Sequence, residues 1–230
     1  HLDEITGQDH VLGERAAFRL ALEAGQLGSV LLWGPPGCGK TSIARLLASH
    51  TGLEFRQLSA VTSGTKELRE VIAEARRIGA GPQGSGSLFA ASEPQGVLLF
   101  VDEIHRWNKA QQDALLPHVE EGVITLVGAT TENPAFQVIP ALRSRCWLLQ
   151  LQALEPEAIE HLLQQALSDT ERGLGARSVI LPAPMLESIS QLSSGDARRA
   201  LSILERVVLS QPSGSEVDID TFAELMGRPD

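Results

Sequence analysis

Gly34-Pro35-Pro36-Gly37-Cys38-Gly39-Lys40-Thr41 follows the apolar run Val30-Leu31-Leu32-Trp33 and leads into Ser42-Ile43-Ala44-Arg45-Leu46-Leu47-Ala48, whose apolar spacing is helical. The pattern is G-x-x-x-x-G-K-[ST], and it stands where that pattern has physical meaning, between a buried strand and a helix. Closely spaced glycines let backbone N–H groups turn inward around phosphate oxygens, and the helix N-terminus adds partial positive charge. Pro35, Pro36, Gly37, Cys38, Gly39, Lys40, Thr41 and Ser42 are the expected nucleotide contacts. Lys40 reaches the terminal phosphates, and the Thr41 hydroxyl is placed to ligate Mg²⁺. A glycine-rich turn could match the spacing by chance, but both flanks are correct, and this selects the nucleotide-binding reading.

Sixty residues on, Val97-Leu98-Leu99-Phe100-Val101 runs straight into Asp102-Glu103. A continuous apolar run marks a strand covered on both faces. Carboxylates at the C-terminal end of a parallel strand stand on the edge where α/β proteins bind ligands. Asp102 is placed to hold Mg²⁺, directly or through water. Glu103 is placed to orient and deprotonate the water that attacks the γ-phosphate.

Between and after these motifs, strands alternate with helices. Strands are expected at 29–33, 53–58, 97–101, 123–129 and 146–151. Helices are expected at 14–24, 41–50, 65–77 and 109–121, the last capped by Asn108. This order predicts a P-loop α/β fold: a five-stranded parallel sheet flanked by helices. Past Leu151 the pattern turns purely helical, at 156–167, 184–192 and 196–210. The expected divisions are a nucleotide-binding domain over 1–151, a small helical lid over 152–212, and the start of a C-terminal segment over 213–230. Gln211-Pro212-Ser213-Gly214 reads as a linker, and the glycine- and serine-rich stretch Gly79–Gly96 as a flexible surface loop.

Taken together, Asp102-Glu103-Ile104-His105 and the phosphate loop resemble the AAA+ ATPases. Leu116-Pro117-His118-Val119-Glu120-Glu121-Gly122, followed by Thr125 to Pro134, resembles the RarA/MgsA family, which includes the eukaryotic Werner-helicase-interacting ATPase and belongs to the clamp-loader clade. The resemblance covers nearly the whole chain, and the long Gly79–Gly96 segment is its chief departure. It implies an ATPase using ATP and Mg²⁺ to remodel DNA or DNA-bound proteins at stalled replication forks. The neighbouring readings are a clamp-loader subunit, a branch-migration motor, and a nucleotide-gated scaffold with little turnover.

The same resemblance implies roles for single residues. Ser144-Arg145-Cys146 is similar to the arginine-finger motif, with Arg145 entering a neighbouring subunit's site and Arg143 close enough to compete for the role. Gly195 to Leu201 is similar to the lid motif, with Arg198 rather than Arg199 sensing the γ-phosphate. Thr131 or Asn133 would be the first sensor, and Gly7 and Gln8 would lie against the adenine. The implied partners are further copies of the chain, in a tetramer or similar assembly, DNA ends, gaps or forks, and single-stranded-DNA-binding protein. The implied location is cytoplasmic and nucleoid-associated.

Composition narrows the partners. The net charge is −10, whereas a protein gripping nucleic acid over a broad surface carries a basic excess. Any DNA contact is therefore local or made by other parts of the protein. Two cysteines are too few for a disulfide framework and fit a reducing compartment. No stretch reaches the length of a membrane span. The opening His1-Leu2-Asp3, without an initiator Met, reads as the start of an excised fragment. His105 and His118 lack metal-ligand spacing and read as helix or turn residues. Arg106, Trp107 and Lys109 form a small basic-aromatic group that could touch single-stranded nucleic acid, unless Trp107 is packed against the sheet.

Overall fold

A strand that is apolar at every position needs cover on both faces. Val97–Asp102 (β3) has it: Val97 through Val101 are buried, and Asp102 emerges partly exposed. With Ser29–Trp33 (β1), Glu54–Ser59 (β2), Ile124–Thr130 (β4) and Cys146–Gln150 (β5), it forms a parallel sheet in the order β2-β3-β4-β1-β5. The expected five-stranded parallel sheet is thus present in the computed structural model, which describes residues 5–79 and 96–226. Residues 80–95, which hold nearly all of the stretch read as a surface loop, lie outside the described residues.

Register places the motifs. Trp33 at the end of β1 pairs with Thr130 on one side and Gln150 on the other. Val101 near the end of β3 pairs with Gly128 of β4. The end of β4 therefore lies between the phosphate loop, which leaves β1, and the acids, which leave β3.

The helix expected over 14–24 is present as Ala17–Glu23 (α2), and a short helix not expected from the sequence, Asp9–Leu12 (α1), precedes it and stops at the extended Gly13. Lys40–Thr51 (α3) covers one sheet face, where Arg45 lies 4.7 Å over the Phe55 ring and Phe55 stacks on Phe100 at 6.0 Å. Thr65–Gly79 (α4) buries Leu68, Val71, Ile72 and Ala75 in the other face's cluster with Leu31, Leu99, Val101 and Leu126. Helices thus lie on both sides, as the doubly covered β3 requires.

The helix expected over 109–121 is two short ones, Lys109–Asp113 (α5) and Leu116–Glu120 (α6). Pro117 has no N–H to continue the ladder, so the chain breaks just before it. Asn108 caps α5 in a reciprocal box with Gln111, as its position in the sequence suggests. Two proline-led turns, Pro134–Gln137 (α7) and Pro140–Arg143 (α8), follow β4. Each is too short to show a helical period.

By packing, the chain divides into two units. The sheet unit ends at Leu151, and the helical unit begins at Gln152; the loop tip Pro35–Cys38 groups with the helical unit. The helical unit comprises Pro156–Ser168 (α9), Ala183–Ser193 (α10), Ala197–Leu209 (α11) and Ile219–Met226 (α12). Its core includes Ile159, Leu163, Ile189, Leu204 and Val207. Val217 and Phe222 enter the same core, and Gly214 N–H donates to Arg177 C=O at 2.9 Å. The stretch read as a linker is therefore tied down, and an isolated parallel bridge joins Ile180 to Glu216. Among the described residues, no helix is long and apolar enough to cross a membrane.

One ion cluster ties α4 to the sheet. The Arg56 guanidinium on β2 grips Glu74 of α4 with both a 2.6 Å and a 2.8 Å bond, and reaches Glu54 at 2.5 Å. The Arg56 bond holds the Glu74 carboxyl below the usual carboxylate range. The stabilisation is therefore complete above the unfolded value of about 4.3, and is lost as pH falls through the depressed folded value. Both groups are about one-third exposed, so water screens the pair. Glu74→Gln should cost roughly 0.5–1 kcal/mol at pH 7. Urea unfolding across pH should show that difference shrinking on the acid side of pH 4; a gap that persists there would locate the effect in packing.

Candidate active site

The phosphate loop is set by its ends. Gly34 N–H donates to Thr130 C=O at 3.2 Å, and the Lys40 ammonium donates back to Gly34 C=O at 2.8 Å. Gly37 and Gly39 have φ of +68° and +97°, values that side-chain-bearing residues rarely adopt. Gly39 precedes the first residue of α3, so Lys40 and Thr41 open the helix. Lys40 is buried, Thr41 half-buried and Ser42 exposed. Within the helical unit, Gly37 C=O accepts from the Ala197 N–H at 3.2 Å, and the Asp196 carboxylate fills the space a Cβ on Gly37 would need.

Asp102 ends β3, and its Oδ1 accepts from the Glu103 N–H at 3.1 Å. Glu103 itself is left-handed, φ 54° and ψ 43°. That conformation is disfavoured for a side-chain-bearing residue and is a form of strain found at functional sites. It turns the chain sharply into a 3₁₀ turn, Ile104–Arg106, and Ile104 drops onto the sheet fully buried. Ile104 packs over Gly128 of β4, where a Cβ would stand 2.9 Å from Ile104 Cδ1.

The spacing around His105 suggests a helix or turn residue, yet the turn buries its ring among polar partners. Nδ1 lies 2.9 Å from Thr130 Oγ1, and Nε2 lies 3.3 Å from Glu103 and 3.4 Å from Glu132. Thr130 is fully buried at the end of β4. Thr131 is exposed in the bend beyond it, and Asn133 accepts from the Ala135 N–H as the N-cap of α7. Trp107 is buried, its indole N–H donating to Ser63 C=O at 2.9 Å, so it is packed rather than open to stack on a base. Arg106 and Lys109 are exposed. Burial lowers the pKa of His118, which sits on α6 away from this network.

Arg143 donates to Ala135 C=O at 2.8 Å, bracing α7 against α8. Arg145 is exposed, paired with Glu120 at 2.5 Å and donating to Ala141 C=O at 2.7 Å. Gln8 is fully buried just before α1, and Gly7 has φ +78°. Arg198 and Arg199 are exposed in the first turn of α11, which Asp196 caps through the Arg199 N–H at 3.0 Å. Among the described residues, no group of three His, Cys, Asp or Glu could hold a metal ion. Thr41 and Asp102 are hard oxygen donors, and a Mg²⁺ that is also held by nucleotide phosphates needs only one or two of these.

This geometry is that of a P-loop hydrolase, and the model of the family "ATPase family associated with various cellular activities (AAA)" matches residues 30–151, more than half the chain. The chain belongs to the AAA family. It is 45% identical over 205 residues to replication-associated recombination protein A of Escherichia coli strain K12, covering 89% of this chain and 43% of that protein. The corresponding Haemophilus influenzae protein is 41% identical over 230 residues, covering 99% and 49%. A RuvB Holliday junction branch migration motor of Thermotoga maritima matches with TM-score 0.74 at 27% identity, covering 98% of this chain and 70% of that one. Among AAA ATPases the chain is of the RarA/MgsA type, and it spans about half the length of the curated relatives it matches.

In this AAA chain one buried side chain links the turn after the acids to the segment carrying the candidate finger. Gln112 of α5 donates to Trp107 C=O and Gln137 C=O, each at 3.0 Å, and accepts from the Ile139 N–H at 3.0 Å. Nothing in its spacing marked it, because its partners are up to 27 residues away in sequence. Gln112→Ala would strand three backbone groups and should cost about 2–3 kcal/mol in urea unfolding. A loss below about 0.5 kcal/mol, the scale of ordinary surface changes, would show that the amide is dispensable.

Proposed function

We propose that this AAA ATPase is the nucleotide-hydrolysing part of a motor that remodels DNA or DNA-bound proteins at stalled replication forks. The observation that carries the catalytic reading is the set of three adjacent strand ends. β1 delivers the phosphate loop, β3 delivers Asp102 and Glu103, and β4 ends between them. The fork assignment is supported by the relatives named replication-associated recombination protein A. The likeness to RuvB favours branch migration as the second reading.

In this proposal the loop residues Pro35–Ser42 hold the phosphates, with Gly7 and Gln8 toward the base. Lys40 neutralises charge on the terminal phosphates. Thr41 and Asp102 would hold Mg²⁺, which when bound offsets phosphate charge. Glu103 accepts a proton from water as its oxygen bonds to the γ-phosphorus and the bond to the β-phosphate oxygen breaks. Asn133 is occupied in capping α7, so Thr131 is assigned as the side chain that positions that water. Arg198 senses the γ-phosphate. Arg145, the more exposed of the two, is assigned as the finger in preference to Arg143, whose guanidinium bridges α7 and α8.

Arg145 is assigned to a neighbouring subunit's site, so the proposal includes a homo-oligomer built with parts of the protein beyond this chain. DNA ends, gaps or forks and single-stranded-DNA-binding protein are its proposed partners. A chain with net charge −10 is a poor nucleic-acid grip overall, so DNA contact is assigned to local patches or to the remainder of the protein.

Glu103→Gln in the full-length protein should keep ATP binding and abolish steady-state hydrolysis; turnover at the wild-type rate would remove Glu103 as the base. Arg145→Ala should lower turnover of the assembled protein by roughly 10³-fold, the lower end of the scale for arginine fingers. Mixing it with Lys40→Ala should restore part of the activity, since the intact Arg145 of a Lys40→Ala subunit can complete the site of an Arg145→Ala neighbour. No recovery at any mixing ratio would rule out a site shared between subunits.

A further inference from the structure

His105 has no part in the mechanism above, although its buried ring meets polar groups at both nitrogens. Its side chain is only 4% exposed. The turn that carries it is pressed into place by Ile104 over Gly128. At one end of the ring Nδ1 meets the Thr130 hydroxyl at 2.9 Å, and that hydroxyl accepts from the Glu132 N–H at 3.0 Å. At the other end Nε2 faces Oε2 of Glu103 at 3.3 Å and Oε1 of Glu132 at 3.4 Å.

These partners select a tautomer. Two carboxylates facing one ring nitrogen favour a proton on that nitrogen, whereas a rotatable hydroxyl can donate to the other. The assignment is Nε2–H toward the carboxylates, with Nδ1 accepting from Thr130. Among the described residues, no other cationic group stands within ion-pair distance of Glu103. The Glu103 side chain is 31% exposed, so packing alone does not enclose its carboxylate.

We infer that His105 is a positioning residue: its Nε2 holds the Glu103 carboxylate, and its Nδ1 ties that carboxylate through Thr130 to the end of β4. Thr130 is therefore a second positioning residue, acting through the ring. Glu132 shares the same Nε2 and keeps the imidazole oriented when Glu103 swings toward a water.

The inference rests on Glu103 being the base, and a double-mutant cycle separates the two ideas. ATP turnover, single-turnover rate and nucleotide affinity would be measured in the full-length protein for Glu103→Gln, His105→Ala, their double mutant, Thr130→Val and Thr130→Ser. His105→Ala should lower kcat by roughly 10–100-fold, the scale for small misplacements of a catalytic group, with nucleotide affinity within about twofold. In the Glu103→Gln background the same change should lower the residual single-turnover rate no further, because groups acting through one another are not additive. Thr130→Val keeps the shape but removes the hydroxyl; it should lower kcat in the same sense, and Thr130→Ser should recover most of that loss.

The inference is overturned if His105→Ala keeps kcat within about threefold of wild type, a change of under 1 kcal/mol. It is equally overturned if affinity falls as far as kcat, or if the double mutant loses the full single-mutant factor again. Should His105→Ala fail to fold, an unchanged kcat for Thr130→Val overturns it. If Glu103→Gln still turns over at the wild-type rate, the base assignment fails as well. If Glu103→Gln is inactive while His105→Ala is active, only the present inference fails.

Discussion

No side chain fits at position 34, and much of the site depends on that. A Cβ on Gly34 would stand 2.6 Å from the Leu151 carbonyl oxygen and 3.0 Å from the Leu151 Cβ. These are closer than packed atoms tolerate, and the nearest obstacle is backbone, which cannot swing aside. The approach is that close because β1 lies between two partners, and the Leu151 N–H donates to Trp33 C=O at 2.7 Å just past the end of β5. The phosphate loop therefore leaves the sheet from a fixed point. Lys40, reaching back to Gly34 C=O, is placed relative to that point through only six residues of chain.

The other neighbour of Gly34 is Thr130, and it belongs to two networks. Its carbonyl oxygen accepts from the Gly34 N–H, while its hydroxyl meets His105. One residue at the end of β4 thus joins the start of the phosphate loop to the turn that bears Glu103. β4 can do this because it lies between β1 and β3 in the sheet. A polar residue this deeply buried needs its hydrogen-bonding capacity filled, since an unmet buried hydroxyl costs on the order of 1–3 kcal/mol. Here the partners that fill it are the turn at Glu132 and the ring of His105. The need to satisfy a buried hydroxyl and the need to orient a carboxylate are met by one arrangement.

The readings that came through from sequence were those whose physical signal is local. Ser29–Trp33 and Val97–Val101 are apolar at nearly every position, and runs of that kind have few fates besides a doubly covered strand. The phosphate loop is likewise local, because its glycines and its lysine act over eight consecutive residues. Contacts made across the sheet could not be read. Thr130 and His105 are 25 residues apart, and only the adjacency of β3 and β4 brings them together, so spacing alone left His105 a turn residue and passed over Thr130. Gln112 was missed for the same reason. Pro117, which splits α5 from α6, is a local cue, but two short helical periods in succession mimic one long one. Trp107 is the intermediate case: its neighbours Arg106 and Lys109 suggested a surface patch, but a large indole beside a sheet edge gains more by burial, and its N–H finds Ser63.

Magnitudes also bear on the two candidate arginines. Arg143 donates to backbone carbonyls that hold α7 and α8 together, and taking it away would remove the side-chain donor to the Ala135 carbonyl. Arg145 is held by one bond to the Ala141 C=O of its own turn and by an ion pair with Glu120 in which both side chains are more than 40% exposed. An exposed pair of this kind contributes roughly 0–1 kcal/mol, because water competes for both charges. A terminal phosphate in a water-excluded site between subunits is a much stronger partner for a guanidinium, through charge-assisted bonds at low local dielectric. Exchanging Glu120 for such a phosphate therefore costs little and gains more. Arg145 can be parked on its own chain without being committed to it, and that is the property a residue needs if its working partner is on another subunit.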